Sequence, residues 1–223
     1  MAIDTKERIL DVAERLFADS GFATTSLRDI TSEAGVNLAS VNYHFGSKEG
    51  LLSAVLHRRI GPVNERRVAR LDEIERFKGQ DAAKVDEILR AFLTPPFELR
   101  AELGVRGATF TRLMGRVHTE TNDEFRQSFV GQLSVVVARF TQALQRALPS
   151  LEPTELSTRM WFLIGSMAYT MMWGESVGLG EGGTRDPETV LESLIEYGAA
   201  GISAPAREPV PVRAGRKSRG AGA

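Results

Sequence analysis

Residues 26–45, SLRDITSEAGVNLASVNYHF, contain two short helical patterns on either side of a glycine. Ser26 and Asp29 stand at the first and fourth positions of the first pattern, which is the spacing of a capping box. Gly35 can adopt the positive φ that a tight turn between two helices often needs. Asn37 is a favourable N-cap for the second pattern, which a glycine at position 46 ends. The stretch therefore predicts a helix-turn-helix motif over about residues 26–45.

The second helix of this motif divides by its period into two faces. Leu38, Val41 and Phe45 recur on one side and are predicted to face inward. The other side carries small, hydrogen-bonding and aromatic groups, and residues 34–48 include no acidic residue. Such a helix suits the DNA major groove, where base edges offer donors, acceptors and methyl groups. Aromatic residues at helical spacing also occur in cores. The alternatives to DNA contact are therefore that Tyr43 is packed in the core and that His44 is simply solvated.

Local charge favours DNA although the domain as a whole is not basic. Residues 1–60 hold seven Lys or Arg and eight Asp or Glu. The helix N-termini capped by Asn37 and Ser47 can present backbone amides to phosphates. Arg28 and Lys48 stand close by in the sequence as further phosphate partners.

Helical periods recur along almost the whole chain, without a convincing alternating strand pattern. The sequence predicts an all-α fold of about nine helices. A three-helix helix-turn-helix domain over residues 1–56 is joined by a fourth helix to a helical domain over residues 57–203. Helix breaks are expected at Gly61-Pro62 and at Thr94-Pro95-Pro96. Residues 204–223 are rich in Arg, Pro and Gly and predict a disordered basic tail.

Composition limits the classes of function. The 223 residues carry a formal net charge of −1 and include no cysteine, which rules out disulfides and thiolate sites. The N-terminal MAIDTKERIL lacks the apolar run of a signal peptide, and the apolar-rich stretch 160–173 is too short to span a bilayer. These features predict a cytoplasmic protein that does not contact a membrane. The three histidines are scattered, and no HExxH pattern or phosphate-binding loop is present. No cofactor, metal or enzymatic activity is therefore expected.

Residues 9–52, ILDVAERLFADSGFATTSLRDITSEAGVNLASVNYHFGSKEGLL, resemble the DNA-binding domain of the TetR family of transcriptional regulators. The resemblance extends over about residues 5–56. Gly50 departs from the family pattern, where a bulkier residue is common, and is expected to loosen the fourth helix slightly. The resemblance implies DNA contacts from the start of the second helix, the exposed face of the third and the start of the fourth. Those expected to bind mainly phosphates are Thr25, Tyr43, His44 and Lys48. The better candidates for base edges are Arg28, Ala39, Ser40 and Asn42, and the set is completed by Ser26 and Asn37.

The same resemblance implies a homodimer that forms through the last two helices as a four-helix bundle. Residues 154–177 and 187–202 have the apolar stripes that such a bundle needs. Burial of these residues within one subunit is the alternative. The residues expected at the interface are Met160, Ile164, Gly165, Ala168, Val190, Leu191, Leu194, Ile195 and Gly198.

Residues 61–99 and 110–120 are similar to the PsrA-type subfamily, which responds to long-chain fatty acids or their coenzyme A esters. Flexible methionines and flat aromatic rings suit an elongated apolar guest, although a plain helical core would use the same residues. The candidate pocket residues are Phe92, Phe97, Phe110, Leu113, Met114, His118, Phe125, Phe129, Trp161, Met167, Met171 and Trp173. The candidates for an acidic head group are Arg106, Arg112, Arg116 and His118, for which a solvated helix face is the alternative.

The resemblance implies a repressor-like regulator that binds pseudo-palindromic double-stranded DNA and is released by a small apolar molecule, a long-chain fatty acid or acyl-CoA. One alternative is a regulator of efflux or stress genes that responds to a drug-like ligand. Another, of a different class, is a helical lipid-binding carrier that does not bind DNA. Tyr43, Lys48 and the acid-free third helix favour a regulator over a carrier.

Overall fold

The computed structural model describes the backbone of residues 4–78, 83–119, 123–173 and 186–206. Within these ranges the regular structure consists entirely of α-helices, nine of them, which confirms the predicted fold class. None of the described helices is long and apolar enough to cross a membrane. The helices are α1 (Thr5–Ser20), α2 (Leu27–Ala34), α3 (Leu38–Phe45), α4 (Lys48–Lys78), α5 (Val85–Leu103), α6 (Val105–Thr119), α7 (Asp123–Ala147), α8 (Pro153–Trp173) and α9 (Pro187–Ser203).

The predicted turn chemistry sets the boundaries of α2 and α3. Ser26 caps α2, and the carboxylate of Asp29 accepts from the Ser26 amide at 2.9 Å, which completes a capping box. Gly35 ends α2 with φ of 62°, in the left-handed region that a side chain disfavours. The side chain of Asn37 accepts from the Ser40 amide at 2.9 Å and begins α3. These four sequence predictions are confirmed.

The helix-turn-helix unit is held by a small apolar core. Ile9, Phe17, Ile30 and Val41 from α1–α3 are fully buried, together with leucines near the start of α4. Leu38 was predicted to face inward and does not: it is 45% exposed. Leu38 is the first residue of an eight-residue helix, and none of the described elements covers that end. The helical period alone was therefore not sufficient to predict its burial.

Two expected helix breaks are absent. Pro62 lies inside α4, which runs unbroken from the motif into the C-terminal half, and α5 continues through Pro95 and Pro96. A proline in a helix leaves the carbonyl four residues earlier without its amide donor. At Phe92, which precedes Pro96 by four residues, that carbonyl instead accepts from Nε of Arg67 at 2.8 Å. The arginine supplies the hydrogen bond that the proline cannot, which helps α5 to continue.

The apolar residues form two clusters that meet at α4, α6 and α7. One cluster joins the helix-turn-helix core to Leu113, Phe125 and Leu133 of α6 and α7. The other fills the space between α4, α5, α6, α7, α8 and α9. Because the first cluster includes helices of the C-terminal half, the packing is continuous from the N-terminal motif into that half. The boundary expected at residues 56–57 therefore stays a prediction.

Candidate DNA-binding surface and ligand cavity

The outer face of α3 presents most of the predicted contact residues to solvent. Tyr43 is 85% exposed, its ring lies edge-on to His44 at 5.0 Å between centroids, and Ala39 and Asn42 are also exposed. Ser40 is half-buried, and its hydroxyl donates to Oδ1 of the Asn37 cap at 3.0 Å. The face thus combines an aromatic ring, an amide and a methyl group, without an acidic residue among 34–48.

The ends of α2 and α4 flank this face. Arg28 is exposed in the first turn of α2. The hydroxyl of Ser26 donates to Asp29 at 2.6 Å, and this bond, with that from the Ser26 amide, lowers the pKa of the Asp29 carboxyl. Nζ of Lys48 lies 4.3 Å above the ring of Phe22, so a cation–π contact holds the lysine at the start of α4.

Thr25 lies apart from this surface. Its side chain is buried, and its hydroxyl donates to the Gly21 carbonyl at 2.8 Å and lies 3.3 Å from that of Leu16. The hydroxyl ties the α1–α2 turn to the end of α1 and is not presented outward. Leu38, in contrast, lies on this surface, although the sequence predicted it to face inward. Its exposed side chain offers an apolar contact of the kind that thymine methyl groups accept.

An apolar cavity of about 400 Å³ lies between α4, α5, α6, α7 and α8. This volume is within the usual range for small-molecule sites, roughly 300–1,000 Å³. Half of the twelve predicted pocket residues line it: Phe110, Met114, Phe129, Trp161, Met167 and Met171. The remaining lining residues were not predicted from the sequence to belong to a pocket: Ile60, Val63, Arg67, Pro96, Arg126, Val130, Leu133, Ile164, Gly165 and Ala168.

The other predicted pocket residues do not line this cavity. Leu113 and Phe125 are buried in the cluster shared with the helix-turn-helix unit, and Phe92 packs edge to face with Phe140, with ring centroids 5.1 Å apart. Phe97 packs against the C-terminal cluster, and Trp173 is 49% exposed at the end of α8. The side chain of His118 lies outside the described residues.

Two of the predicted head-group arginines serve instead as a link between α6 and α1. Arg116 donates from Nε to the Ala18 carbonyl at 3.1 Å and also to the Asp19 carbonyl, at the C-terminal end of α1. Arg112 pairs with the Asp19 carboxylate at 3.1 Å. Cations are favourable at a helix C-terminus, where carbonyls lack partners. The prediction that these two residues receive a ligand in the cavity is therefore wrong, and the side chain of Arg106 lies outside the described residues.

Among the described residues that line the cavity, Arg67 alone is both charged and buried, at 2% exposure. Besides the Phe92 carbonyl, its Nη1 donates to Oδ1 of Asn64 at 3.2 Å, and Nη2 lies 3.5 Å from Sδ of Met167. Its guanidinium lies 4.0 Å above the Phe92 ring. Burial lowers the pKa of Arg67 to about 9, which leaves it charged at neutral pH.

The expected dimer residues divide into two groups. Val190, Gly165 and Ala168 are half-buried on the outer side of α8 and α9 or beside the cavity. The rest are buried within the subunit, which favours for them the alternative of burial within one subunit; Leu194 among them also lines a surface groove between α8 and α9. A Cβ on Gly198, for example, would lie 2.6 Å from Cδ1 of Leu163. These core residues are Met160, Ile164, Leu191, Leu194, Ile195 and Gly198.

The exposed face of α8 and α9 is instead aromatic. Phe162, Tyr169 and Tyr197 are 69%, 59% and 68% exposed. A surface groove of about 550 Å³ runs between the two helices and is lined in part by both tyrosines and by Val190. An aromatic, weakly charged patch of this kind marks a protein contact surface. The exposed part of α8 and α9 is therefore an aromatic surface, and a dimer interface there stays a prediction.

Family models match both parts of the chain. The model for bacterial regulatory proteins of the tetR family matches residues 9–55, and the model for the tetracyclin repressor-like C-terminal domain matches residues 90–201. Among curated relatives, the regulator AcrR of Shigella flexneri is 34% identical over 88 residues, 40% of each chain. The uncharacterized regulator YerO of Bacillus subtilis is 43% identical over 58 residues, 26% of this chain. The chain thus spans only 40% and 20% of the length of these two relatives.

Solved structures resemble the chain over nearly its whole length. The fatty acid degradation regulator FadR from Bacillus halodurans superposes with a TM-score of 0.65 at 15% identity, over 90% of this chain and 97% of that one. FadR from Bacillus subtilis in complex with stearoyl-CoA superposes with a TM-score of 0.61 at 20% identity, over 87% and 98%. At such low identities these likenesses establish the shared fold.

Proposed function

The chain belongs to the TetR family of bacterial regulatory proteins, and on that premise we propose that it is a ligand-responsive, DNA-binding transcriptional regulator. It acts in the cytoplasm as a repressor that a small molecule releases from DNA. The observation that carries the proposal is α3, an acid-free helix that projects Tyr43 with 85% of its surface exposed. A core would bury that ring, whereas a DNA-reading helix must present its outer face.

We infer that the protein binds DNA as a homodimer. The aromatic face of α8 and α9, which includes Phe162 and Tyr197, would become the core of a four-helix bundle between two copies. The two α3 helices would then enter successive major grooves, about 34 Å apart, on a pseudo-palindromic site. Arg28 and Lys48 at the helix starts would position each copy on the phosphates.

Two helices connect the cavity with the DNA-binding surface. α4 begins beside α3 and carries the cavity residues Ile60 and Val63 further along the same helix. α6 contributes Phe110 to the cavity and holds the end of α1 through Arg116. A ligand that fits the cavity better in one arrangement of these helices shifts the population toward it. A coupling free energy of about 1–3 kcal/mol would weaken DNA binding roughly 5- to 150-fold.

The cavity lining supports an elongated apolar ligand. Phe110, Phe129 and Trp161 supply flat rings, and Met114 and Met167 supply flexible thioethers. We therefore propose a long-chain fatty acid or its coenzyme A ester as the natural ligand, in keeping with the fold neighbour that binds stearoyl-CoA. A drug-like ligand is the competing proposal, and release of DNA by a panel of acids, acyl-CoA esters and apolar cations separates the two.

The first experiment is selection of bound fragments from genomic DNA by the full-length protein. The affinity for the recovered site is then measured by fluorescence anisotropy for the wild type, Tyr43→Ala and Phe77→Ala. Phe77 is a matched control, because it is an aromatic residue 80% exposed on a helix, near the far end of α4. We expect Tyr43→Ala to raise the Kd for DNA roughly 10- to 150-fold, from a lost hydrogen bond to a charged phosphate of about 1.5–3 kcal/mol. Phe77→Ala should leave it unchanged.

Two results would contradict the proposal. Equal DNA affinity of the Tyr43→Ala and Phe77→Ala variants would remove α3 from the DNA-binding surface. Recovery of no genomic fragment, together with tight binding of fatty acids, would favour a lipid carrier instead. Specific binding should also weaken steeply with salt, since the contacts to phosphates release counterions.

A further inference from the structure

The described lining of the cavity carries positively charged side chains but no negatively charged ones. Among its described lining residues there are two arginines, Arg67 and Arg126, and no carboxylate. Arg126 pairs with Asp123, and its side chain is 59% exposed. Arg67 is buried, and no carboxylate of the described residues pairs with it. The cavity therefore holds one buried positive charge that the described part of the chain leaves without a counter-ion.

A buried charge of this kind is costly unless something compensates it. The Phe92 carbonyl and the amide oxygen of Asn64 satisfy Nε and Nη1 only as neutral acceptors, at 2.8 and 3.2 Å. Nη2 has the thioether of Met167 at 3.5 Å, and a thioether is a weak acceptor. Met167 lines the same cavity, so the weakest hydrogen bond of the guanidinium lies on the cavity side.

We propose that Arg67 binds the carboxylate of an amphiphilic acid whose apolar tail fills the cavity. This inference rests on the proposed function in that it assigns the head-group site of the same ligand. The planar guanidinium matches a carboxylate in a two-point, charge-assisted contact, and the carboxylate replaces the thioether as partner of Nη2. Phe110, Phe129 and Trp161 then surround the tail.

The position of Arg67 distinguishes a free acid from its coenzyme A ester. In the ester the acyl carbonyl is neutral and the anionic groups lie far away on a large polar head. A buried arginine in a cavity of about 400 Å³ favours the small carboxylate group over that head. The ligand class assigned to this chain is therefore the free acid, with its head group inside.

The same residue links the ligand to the DNA-binding unit. Arg67 belongs to α4, and at about 1.5 Å per residue it lies roughly 28 Å along that helix from Lys48. Its guanidinium also ties α4 to α5 through the Phe92 carbonyl and approaches α8 at Met167. A carboxylate that draws Nη2 toward itself changes the contact between α4 and α8, and α4 begins beside α3.

The test compares dodecanoic acid, 1-dodecanol and dodecanoyl-CoA as probes, with Kd measured on the full chain by tryptophan fluorescence, since Trp161 lines the cavity. We expect the wild type to bind the acid at least about tenfold more tightly than the alcohol, which corresponds to about 1.4 kcal/mol. Arg67→Met should reduce this acid-to-alcohol ratio to about one while it keeps alcohol binding. Arg139→Met is the matched control: Arg139 lies on α7, pairs with Asp72 and Glu75 and does not line the cavity, so its replacement should leave the ratio unchanged.

Equal binding of acid and alcohol by the wild type would overturn the assignment, as would an acid preference that survives in Arg67→Met or disappears in Arg139→Met. Tighter binding of dodecanoyl-CoA than of dodecanoic acid would also overturn it. If Arg67→Met does not fold, Arg67→Lys keeps a cation and should retain part of the preference, so its complete loss there would count against a charge contact. If the protein binds the acid through Arg67 but recovers no genomic DNA, the proposed regulatory function is wrong and this inference still holds.

Discussion

Gly50 provides the sharpest prediction about the motif, because the structure reverses the usual effect of a helical glycine. Replacing glycine by alanine in an exposed helix interior normally stabilises a protein by about 1 kcal/mol. At Gly50 a Cβ would lie 2.0 Å from the carbonyl oxygen of Phe45 and 3.2 Å from its carbon, both backbone atoms that cannot rotate away. The sequence suggested that this glycine loosens α4; the structure indicates that it lets α4 start close to the end of α3.

The size of the effect follows from two opposing terms. Overpacking costs roughly 1–3 kcal/mol, and a contact of 2.0 Å with backbone belongs at the upper end of that range. Subtracting about 1 kcal/mol of helix propensity leaves Gly50→Ala destabilised by about 1–2 kcal/mol. For a chain of this length that corresponds to a fall in Tm of roughly 2–8 °C.

The assay is thermal unfolding followed by circular dichroism at one fixed protein concentration, since the proposed dimer would make Tm depend on concentration. Gly131→Ala is the matched control: Gly131 lies on α7, and a Cβ there would meet nothing within 4 Å. It should raise Tm by roughly 2–4 °C. If Gly50→Ala raises Tm as Gly131→Ala does, the close approach of α4 to Phe45 is not a constraint and the reasoning fails.

Three further predictions concern stability and assembly. Glu14→Gln should destabilise the fold by roughly 1.5–3 kcal/mol in urea unfolding, because the buried Glu14 carboxylate accepts from Arg58 and Arg59 at 2.5 and 2.8 Å; an unchanged midpoint would contradict this. Phe162→Glu should give monomers in analytical ultracentrifugation where the wild type gives dimers, and equal masses would remove α8 from the interface. Hydrogen bonds lower the pKa of Asp29, so its stabilising effect is present above the pKa of the unfolded chain and is lost as pH falls through the folded one. Asp29→Asn should therefore reduce the loss of stability below about pH 4. A loss of stability in this pH range that is the same in the wild type and in Asp29→Asn would refute the prediction.

The local chemistry of the motif could be predicted from the sequence because short-range rules decide it. Ser26 with Asp29, Gly35 and Asn37 act within three or four residues of themselves, and each takes the predicted cap or turn position. The fold class followed for the same reason, since the helical period is a local property. Leu38 shows where the period stops being sufficient, because burial at the end of a short helix depends on which element covers it.

The cavity could be predicted only in part, because its lining comes from five helices. Large apolar residues on α6–α8 were expected to face a ligand, yet the same residue types also fill the core at Leu113 and Phe125. The stem of Arg67 falls in the apolar stripe of residues 63–78, but the residue was not predicted to line the cavity, because the charged end of such a side chain normally reaches solvent. Its burial depends on a carbonyl that Pro96, far along the chain, leaves free. Sequence spacing contains no signal for such a pairing.

The measurement that tests the account most directly is the affinity of the full-length protein for its selected DNA site with and without saturating dodecanoic acid. Fluorescence anisotropy at constant salt should show the acid raising the Kd for DNA roughly 5- to 150-fold in the wild type. In Arg67→Met the same concentration of acid should change the Kd for DNA by less than about twofold. Without Arg67 the acid is expected to bind the DNA-binding and the released states equally well, and such a ligand does not shift their populations. A wild-type DNA affinity that saturating acid leaves unchanged would contradict the link between the cavity and α3.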